Sequence, residues 1–295
     1  MTVIELIQEF GTEEVCLEYL EGVRWPDGVE CPHCNGRHIK KLSTRREYQC
    51  NECRKQFSVT AGTIMHRSRL SLTKWIVAVH LIGSAKKGIS ACQLQRHLGI
   101  QYRTAWTLLH RIRLAMKEDT LTSKMAGTIE VDETYIGGKE RGIGPGRPGK
   151  RSKKVPVMGL KERGGPIRCE VVPDVSTPTV LDVIRRNVES GETVITDEYV
   201  SYRRVGAEYI HACINHSIKY VDGEVHTNGV ENFWSLLKRG IVGSYHHVSP
   251  KYLPLYLDEF VSRFNARDME NGNYVEKVLK GCVKKSNGQP ADLNA

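Results

Sequence analysis

TIEVDETYIGG, residues 128–138, sets a carboxylate, Asp132, in the middle of a strand with Ile129, Val131, Tyr135 and Ile136 around it. Burying an ionised carboxylate costs free energy unless a cation or hydrogen bonds satisfy it. The same problem recurs in TVITDEYVSY (193–202), where Asp197 ends an apolar run, and in HTNGVENFWSLLKRG (226–240), where Glu231 falls on a helix. Acids on two strands and a helix converge only through a fold. Their chemistry reads as a two-metal phosphoryl-transfer site for Mg²⁺ or Mn²⁺.

Outward from this stretch, VPVMGLKE (155–162) and PIRCEVVPD (166–174) read as a hairpin turning at Arg163-Gly164-Gly165. A helix over 177–189 follows, capped by Ser176 or Thr177 and ended by Gly191. ETVITDEY (192–199) and AEYIHACINH (207–216) are further strands. Strand, strand, strand, helix, strand, then helices is an order that suits a ribonuclease-H-like α/β fold. There the first acid lies on the first strand, the second at the end of the fourth, and the third on a later helix. In helix 229–239, Val230, Phe233, Trp234 and Leu237 form the apolar face, with Glu231, Ser235 and Lys238 beside it. Lys238, two turns beyond Glu231, is placed to meet a phosphate. Glu133 and Glu198 are alternative ligands, although the strand pleat points Glu133 away from the side that Asp132 faces. Residues 245–268 add helix broken by Pro250 and Pro254, with Tyr256, Phe260 and Phe264 in the core. GGKERGIGPGRPGKRSKK (137–154) has six glycines, two prolines and seven Lys/Arg against one Glu, too many breakers for a long helix or strand. It reads as a flexible basic loop that clamps DNA through Arg147, Lys150 and Arg151, or as a solvated insertion.

Upstream, CPHC (31–34) and CNEC (50–53) stand fifteen residues apart. Each Cys-x2-Cys turn offers two thiolates, and two such turns joined by a strand pair make a tetrahedral zinc site of Cys31, Cys34, Cys50 and Cys53. His33 and His38 then read as surface residues. Lys40, Lys41, Arg45, Arg46, Arg54 and Lys55 make the ribbon basic, for a phosphate backbone or simply for water. Residues 3–22 read as one or two amphipathic helices packed on the segments C-terminal to them. Three helical patterns come next, at 72–88, 89–100 and 101–116, with Ser90 capping the second and Gly99 ending it. This is the outline of a helix-turn-helix. Gln101, Tyr102, Arg103 and Thr104 at the start of the third helix would reach base edges, and Arg111 and Arg113 the phosphates. Cys92 reads as core.

The whole composition agrees. A chain of 295 residues holds more than one domain, and 40% apolar content supports a substantial core. The net charge of +9 points to a polyanionic partner, nucleic acid before membrane. No apolar run is long enough to span a bilayer, and MTVIELIQEFGTEE has none of the features of a secretory signal. The expected location is therefore cytoplasmic, with the nine cysteines reduced and any cluster among them metal-binding. The expected architecture is multidomain. Residues 1–66 carry N-terminal helices and the zinc ribbon, 67–120 an all-α helix-turn-helix, 125–270 the α/β catalytic domain, and 271–295 a C-terminal tail.

CPHC…CNEC followed by QFSVTAGTIMH, then IEVDETYIGGK, TDEYVSY and the long HTNGVENFWSLLKRGIVGSYHHVSPKYLPLYLDEFVSRFNAR, resemble bacterial insertion-sequence DDE transposases. The resemblance is to their zinc-ribbon-containing class related to the eukaryotic Merlin group, and covers about residues 10–270. It implies a ribonuclease-H-like domain that cleaves and joins the element's own terminal inverted repeats at the nucleoid, with Asp132, Asp197 and Glu231 as metal ligands. Asn228 is the alternative third ligand; a third carboxylate neutralises two divalent cations better than an amide. Joining two ends at once implies a homo-oligomer on DNA. The competing readings are a zinc-dependent DNA-binding regulator and a domesticated nuclease that does not transpose.

Overall fold

A computed structural model describes residues 2–42, 46–117, 123–138, 154–214 and 225–284. It divides into two compact units, Met1–Met116 with Met269–Ala295, and Lys117–Asp268.

The first unit begins with α1 (Val3–Glu9) and α2 (Glu13–Arg24). Thr2 and Glu5 close α1 with a reciprocal capping box, and Thr12 caps α2. An antiparallel sheet of β1 (Ile39–Lys41), β2 (Tyr48–Cys50) and β3 (Gln56–Phe57) follows; β1 and β2 are the expected strand pair between the two cysteine turns, and β3 adds a third strand after the second turn. Its small core is Cys31, Tyr48, Cys50, Phe57 and Ala61, with Trp25 edge-on to Tyr48 and Phe57. Helices α3 (Leu72–Ser84), α4 (Ala91–Leu98) and α5 (Tyr102–Met116) come next. Ser90 accepts the Gln93 N–H, as expected of the cap, and Gly99 ends α4 with a left-handed φ of 59°. Within the segment expected as a C-terminal tail, Asn271–Val283 forms a helix, α9, that packs on α3 and α5. Tyr274, Val278, Leu279 and Cys282 are its buried face. Cys92, expected in the core, is exposed; its place on α4 belongs to the side away from Leu94 and Leu98.

The second unit is built on a five-stranded sheet in the order β6-β5-β4-β7-β8. The strands are β4 (Thr128–Ile136), β5 (Val155–Glu162), β6 (Ile167–Val171), β7 (Thr193–Asp197) and β8 (Ile210–Ile214). β4, β7 and β8 run parallel, and β5 and β6 form the expected antiparallel hairpin. Alternation along the strands creates two cores. Ile129, Val131, Met158, Leu160 and Val194 face α6 (Thr177–Asn187) and its Val180, Val183 and Ile184. Ile136, Val157 and Ile167 face α7 (Asn228–Gly240) and α8 (Leu253–Asn265) through Val230, Phe233, Leu237, Leu257 and Phe260. α6 ends before Gly191, at Val188, because the extended backbone there bridges to Met125. Pro254 starts α8 instead of breaking it, since the first turn of a helix has no use for that N–H.

Candidate active site and zinc site

β4 and β7 bring two acids to the same level. Their parallel register pairs Thr128 with Thr193 and Glu130 with Ile195. Two residues further along each strand, beyond the last paired positions, stand Asp132 and Asp197, which strand alternation puts on one face. The face is the one covered by α7. The Trp234 indole Nε1–H donates to Asp132 Oδ2 at 3.0 Å. Gly159 lies directly across from Asp132 on β5, where a Cβ would come 2.6 Å from the Trp234 ring. The missing side chain is what admits the indole. Burial pushes the Asp132 carboxyl up to about 7, with the charges of Glu133 and Asp197 adding to the effect. The Trp234 hydrogen bond works in the opposite sense. Asp197 Oδ1 accepts the Tyr199 N–H at 2.9 Å, which fixes that carboxylate at the strand end.

α7 carries the third acid. Glu231 precedes Trp234 by three residues, so both lie on one side of the helix. The Thr227 hydroxyl donates to Glu231 Oε1 at 2.8 Å. Lys238 lies a further turn beyond Trp234. Desolvation lowers its pKa while the charge of Asp132 opposes the drop, which places its ammonium within the field of that carboxylate. Asn228 is exposed at the first turn of α7, and Glu198 is exposed beyond β7. Glu133 turns to the opposite sheet face as expected, where it accepts the Tyr202 hydroxyl at 2.6 Å.

One acid escaped the sequence reading. Glu130, 2% exposed, accepts the N–H groups of Gly229 at 2.7 Å and Val230 at 3.1 Å. Arg163 Nε and His226 Nδ1 each lie 3.3 Å from its other oxygen. A buried anion thus ties the positive end of α7 to β4 and fixes the height of Glu231 and Trp234. The available signal was its spacing of two from Asp132 in an apolar strand.

Among the described residues only the four cysteines bring three or more ligand atoms close together, so Glu231 does not complete a three-acid cluster with Asp132 and Asp197; the chemistry of that aspartate pair still suits a divalent cation. A carboxyl whose proton affinity is raised by burial and a neighbouring carboxylate is relieved by a hard cation with oxygen preference. The cysteines suit zinc. The four Sγ atoms all lie within 4.8 Å of one another, with Cys31–Cys53 at 3.7 Å and Cys34–Cys50 at 3.5 Å. Zinc–sulfur arms of about 2.3 Å arranged tetrahedrally put sulfurs about 3.8 Å apart. The two turns repeat each other: Cys31 N–H donates to Gly36 O and Cys50 N–H to Lys55 O. Asn35 and Arg54, one residue past each second cysteine, both hold φ at 59°. His33 and His38 are exposed, as expected.

Of the expected DNA contacts, Gln101, Tyr102 and Arg103 are exposed and Thr104 half-buried at the leading end of α5. Arg111 donates to the carbonyls of Ile64 and His66 at 3.3 and 3.2 Å. Arg113 is 1% exposed beside His110, so it cannot meet a phosphate; its offset of four from Leu109 puts it on the packed side of α5. Arg147, Lys150 and Arg151, and Arg45 of the ribbon, lie outside the described residues. Among the described residues no helix is long and apolar enough to cross a membrane.

Residues 124–265 match the ISXO2-like transposase domain, and residues 11–56 the transposase zinc-ribbon domain. The chain is 27% identical over 279 residues to an uncharacterized protein in transposable element ISH50 of Halobacterium salinarum, covering 87% of this chain and 92% of that protein. It is 32% identical over 115 residues to an uncharacterized transposase-like protein of Haemophilus influenzae, covering 38% of this chain and 93% of the relative. With a four-cysteine ribbon ahead of a transposase-domain match that spans Asp132, Asp197 and Glu231, the chain belongs to the zinc-ribbon-containing, ISXO2-like family of insertion-sequence transposases.

Proposed function

We propose that this chain cleaves the terminal inverted repeats of its own element and joins them to target DNA, using Asp132, Asp197 and Glu231 to hold two Mg²⁺ or Mn²⁺ ions. The observation that carries the reading is the placement of Asp132 and Asp197 on adjacent parallel strands, two residues beyond their last paired positions, with the charge of Asp197 acting on the Asp132 carboxyl beneath α7. The order β6-β5-β4-β7-β8, with its three parallel strands, supports a ribonuclease-H-like assignment. When bound, the cations supply a nucleophilic oxygen at neutral pH and charge neutralisation at the leaving 3′ oxygen.

The chain's own residues supply position and charge. Trp234 holds one carboxylate oxygen of Asp132 so that its partner oxygen stays oriented, and the Tyr199 N–H does the same for Asp197. Thr227 orients Glu231. Lys238, already in the field of Asp132, offsets charge on the phosphodiester under attack. Water displaces the 3′ oxygen at the transposon end. The freed 3′-hydroxyl then displaces a 3′ oxygen in the target, with one P–O bond made and one broken in each step. Both are in-line phosphoryl transfers, so one site serves both.

The α4–Gly99–α5 segment acts as the helix-turn-helix that reads the repeats through Gln101, Tyr102, Arg103 and Thr104, with Arg111 behind them. The basic ribbon and the segment bearing Arg147, Lys150 and Arg151 grip the backbone. Joining two ends requires a homo-oligomer on DNA, acting at the nucleoid in the cytoplasm. The test is a strand-transfer assay with Mg²⁺ and a labelled fragment carrying the element's ends. Joined product that disappears with Asp197→Ala supports the reading. End binding without cutting in Mg²⁺ or Mn²⁺ would replace it with a zinc-dependent DNA-binding regulator.

A further inference from the structure

A cleft of about 540 Å³ opens in the first unit between residues 67–70 and the leading end of α5. Four arginines line it, Arg67, Arg69, Arg103 and Arg111, and no carboxylate does. Arg111 is the strut of the group. Its guanidinium donates to Ile64 O and His66 O, so it ties the chain just before residue 67 to α5 and brings its charge to the cleft already fixed in place. Arg67, Arg69 and Arg103 are exposed, and among the described residues none of the three makes an ion pair. Four like charges around one opening repel one another, and an anion seated there removes that repulsion. Guanidinium is the side chain best matched to phosphate oxygens, because its N–H groups form a planar fork.

We propose that this cleft seats the sugar–phosphate backbone of duplex DNA at the element's end. Its volume exceeds that of a single phosphate. Trp75, Leu70 and Leu108 give it an apolar floor that fits a deoxyribose. Gln101 and Thr104 stand at the same opening, so a backbone held by the arginines lies beside the groove those residues would read. Arg67 and Arg69, which belong to the connection between the ribbon and α3, thereby become DNA contacts. The inference rests on the DNA-binding part of the proposed function and adds the location of the phosphate grip.

The test measures binding of the full zinc-loaded chain to two labelled duplexes, the element's end and a scrambled sequence of equal length, by fluorescence anisotropy between 50 and 200 mM salt. The charge-removing variant is Arg67→Asn with Arg69→Ala; Asn tolerates the left-handed φ of 54° at position 67. Each phosphate contact contributes about 0.9 to the slope of log affinity against log salt, so the double variant should lower the slope by about 1.8. It should weaken binding to both duplexes about equally and by at least about tenfold. Arg67→Lys with Arg69→Lys should restore most of the slope. Lys86→Ala with Lys87→Ala, exposed charges outside the cleft, should leave it unchanged. An unchanged slope in the Asn/Ala variant overturns the cleft assignment while leaving DNA binding intact. So does an equal loss from the Lys86/Lys87 variant, or a loss confined to the end sequence. A wild-type chain that binds neither duplex overturns the DNA-binding reading itself.

Discussion

Gly159→Ala is the smallest change that reaches the centre of the site. The new Cβ would lie 2.6 and 2.8 Å from two Trp234 ring atoms and 3.0 Å from Val230 Cγ2, well inside ordinary contact. The indole is 5% exposed and wedged between β5 and Phe233, so it moves only as a rigid plate. Overpacking of this kind costs about 1–3 kcal/mol. Displacing the ring also lengthens the 3.0 Å bond from Nε1 to Asp132, and a hydrogen bond to a charged group contributes about 1.5–3 kcal/mol. The two losses overlap, since one displacement produces both, and a total on the order of 3 kcal/mol is expected. For a unit of this size that lowers Tm by about 6–12 °C. The assay is thermal unfolding of Gly159→Ala beside Trp234→Phe, which removes the Nε1 donor together with one of the two fused rings. Both variants should lose stability, Gly159→Ala by overpacking and Trp234→Phe by the cavity and the lost donor, and both should slow DNA cleavage. If Gly159→Ala unfolds within a degree or two of wild type, the close approach of Trp234 to β5 is not what shapes the site.

Glu130→Gln keeps the shape of the buried anchor and removes the charge that faces Arg163 and the start of α7; a loss of about 2–4 kcal/mol in urea unfolding is expected. Cys34→Ser should abolish the single equivalent of zinc bound per ribbon, measured by colorimetric release, and increase proteolysis within residues 25–60 before any change in the catalytic unit. Asp132 gives a pH signature. Its carboxyl is raised from 3.8 to about 7 in the folded chain, so the folded state holds the extra proton. The stability this confers is full below about pH 4 and is lost as pH rises to about 7, a ceiling of about 4 kcal/mol from the linkage relation. Asp258, also raised by burial, to about 6, adds in the same direction. Without added divalent cation, Tm should therefore fall from pH 5 to 8, and Asp132→Asn should flatten most of that fall. Mg²⁺ should stabilise the wild type more at pH 8 than at pH 5.5, because cation and proton compete for one carboxylate.

The parts of the site visible in the sequence were those whose signal is local. Cys-x2-Cys pairs announce their chemistry by spacing alone. Asp132 and Asp197 stand out because each interrupts an apolar run, and strand alternation correctly turned Glu133 to the other face. What stayed hidden depends on partners far along the chain. Glu130 gains its meaning from the start of α7, 99 residues away at Gly229. Gly159 reads as an ordinary weak point in a strand until Trp234 is seen to occupy its space. Arg113 was assigned outward because charge is usually exposed, whereas packing placed it inside α5's buried face. Residues 271–283 lacked a visible destination because the surface they cover is formed by α3 and α5, between 155 and 211 residues earlier.

The most direct measurement is the anomalous difference map from crystals soaked in Mn²⁺. Density touching both Asp132 and Asp197, with Glu231 completing the set, is the predicted result, and it should vanish in Asp132→Asn crystals. Mn²⁺ bound elsewhere in the chain, with this pair of carboxylates left bare at a concentration that supports cleavage, would contradict the assignment of these acids as the phosphoryl-transfer centre.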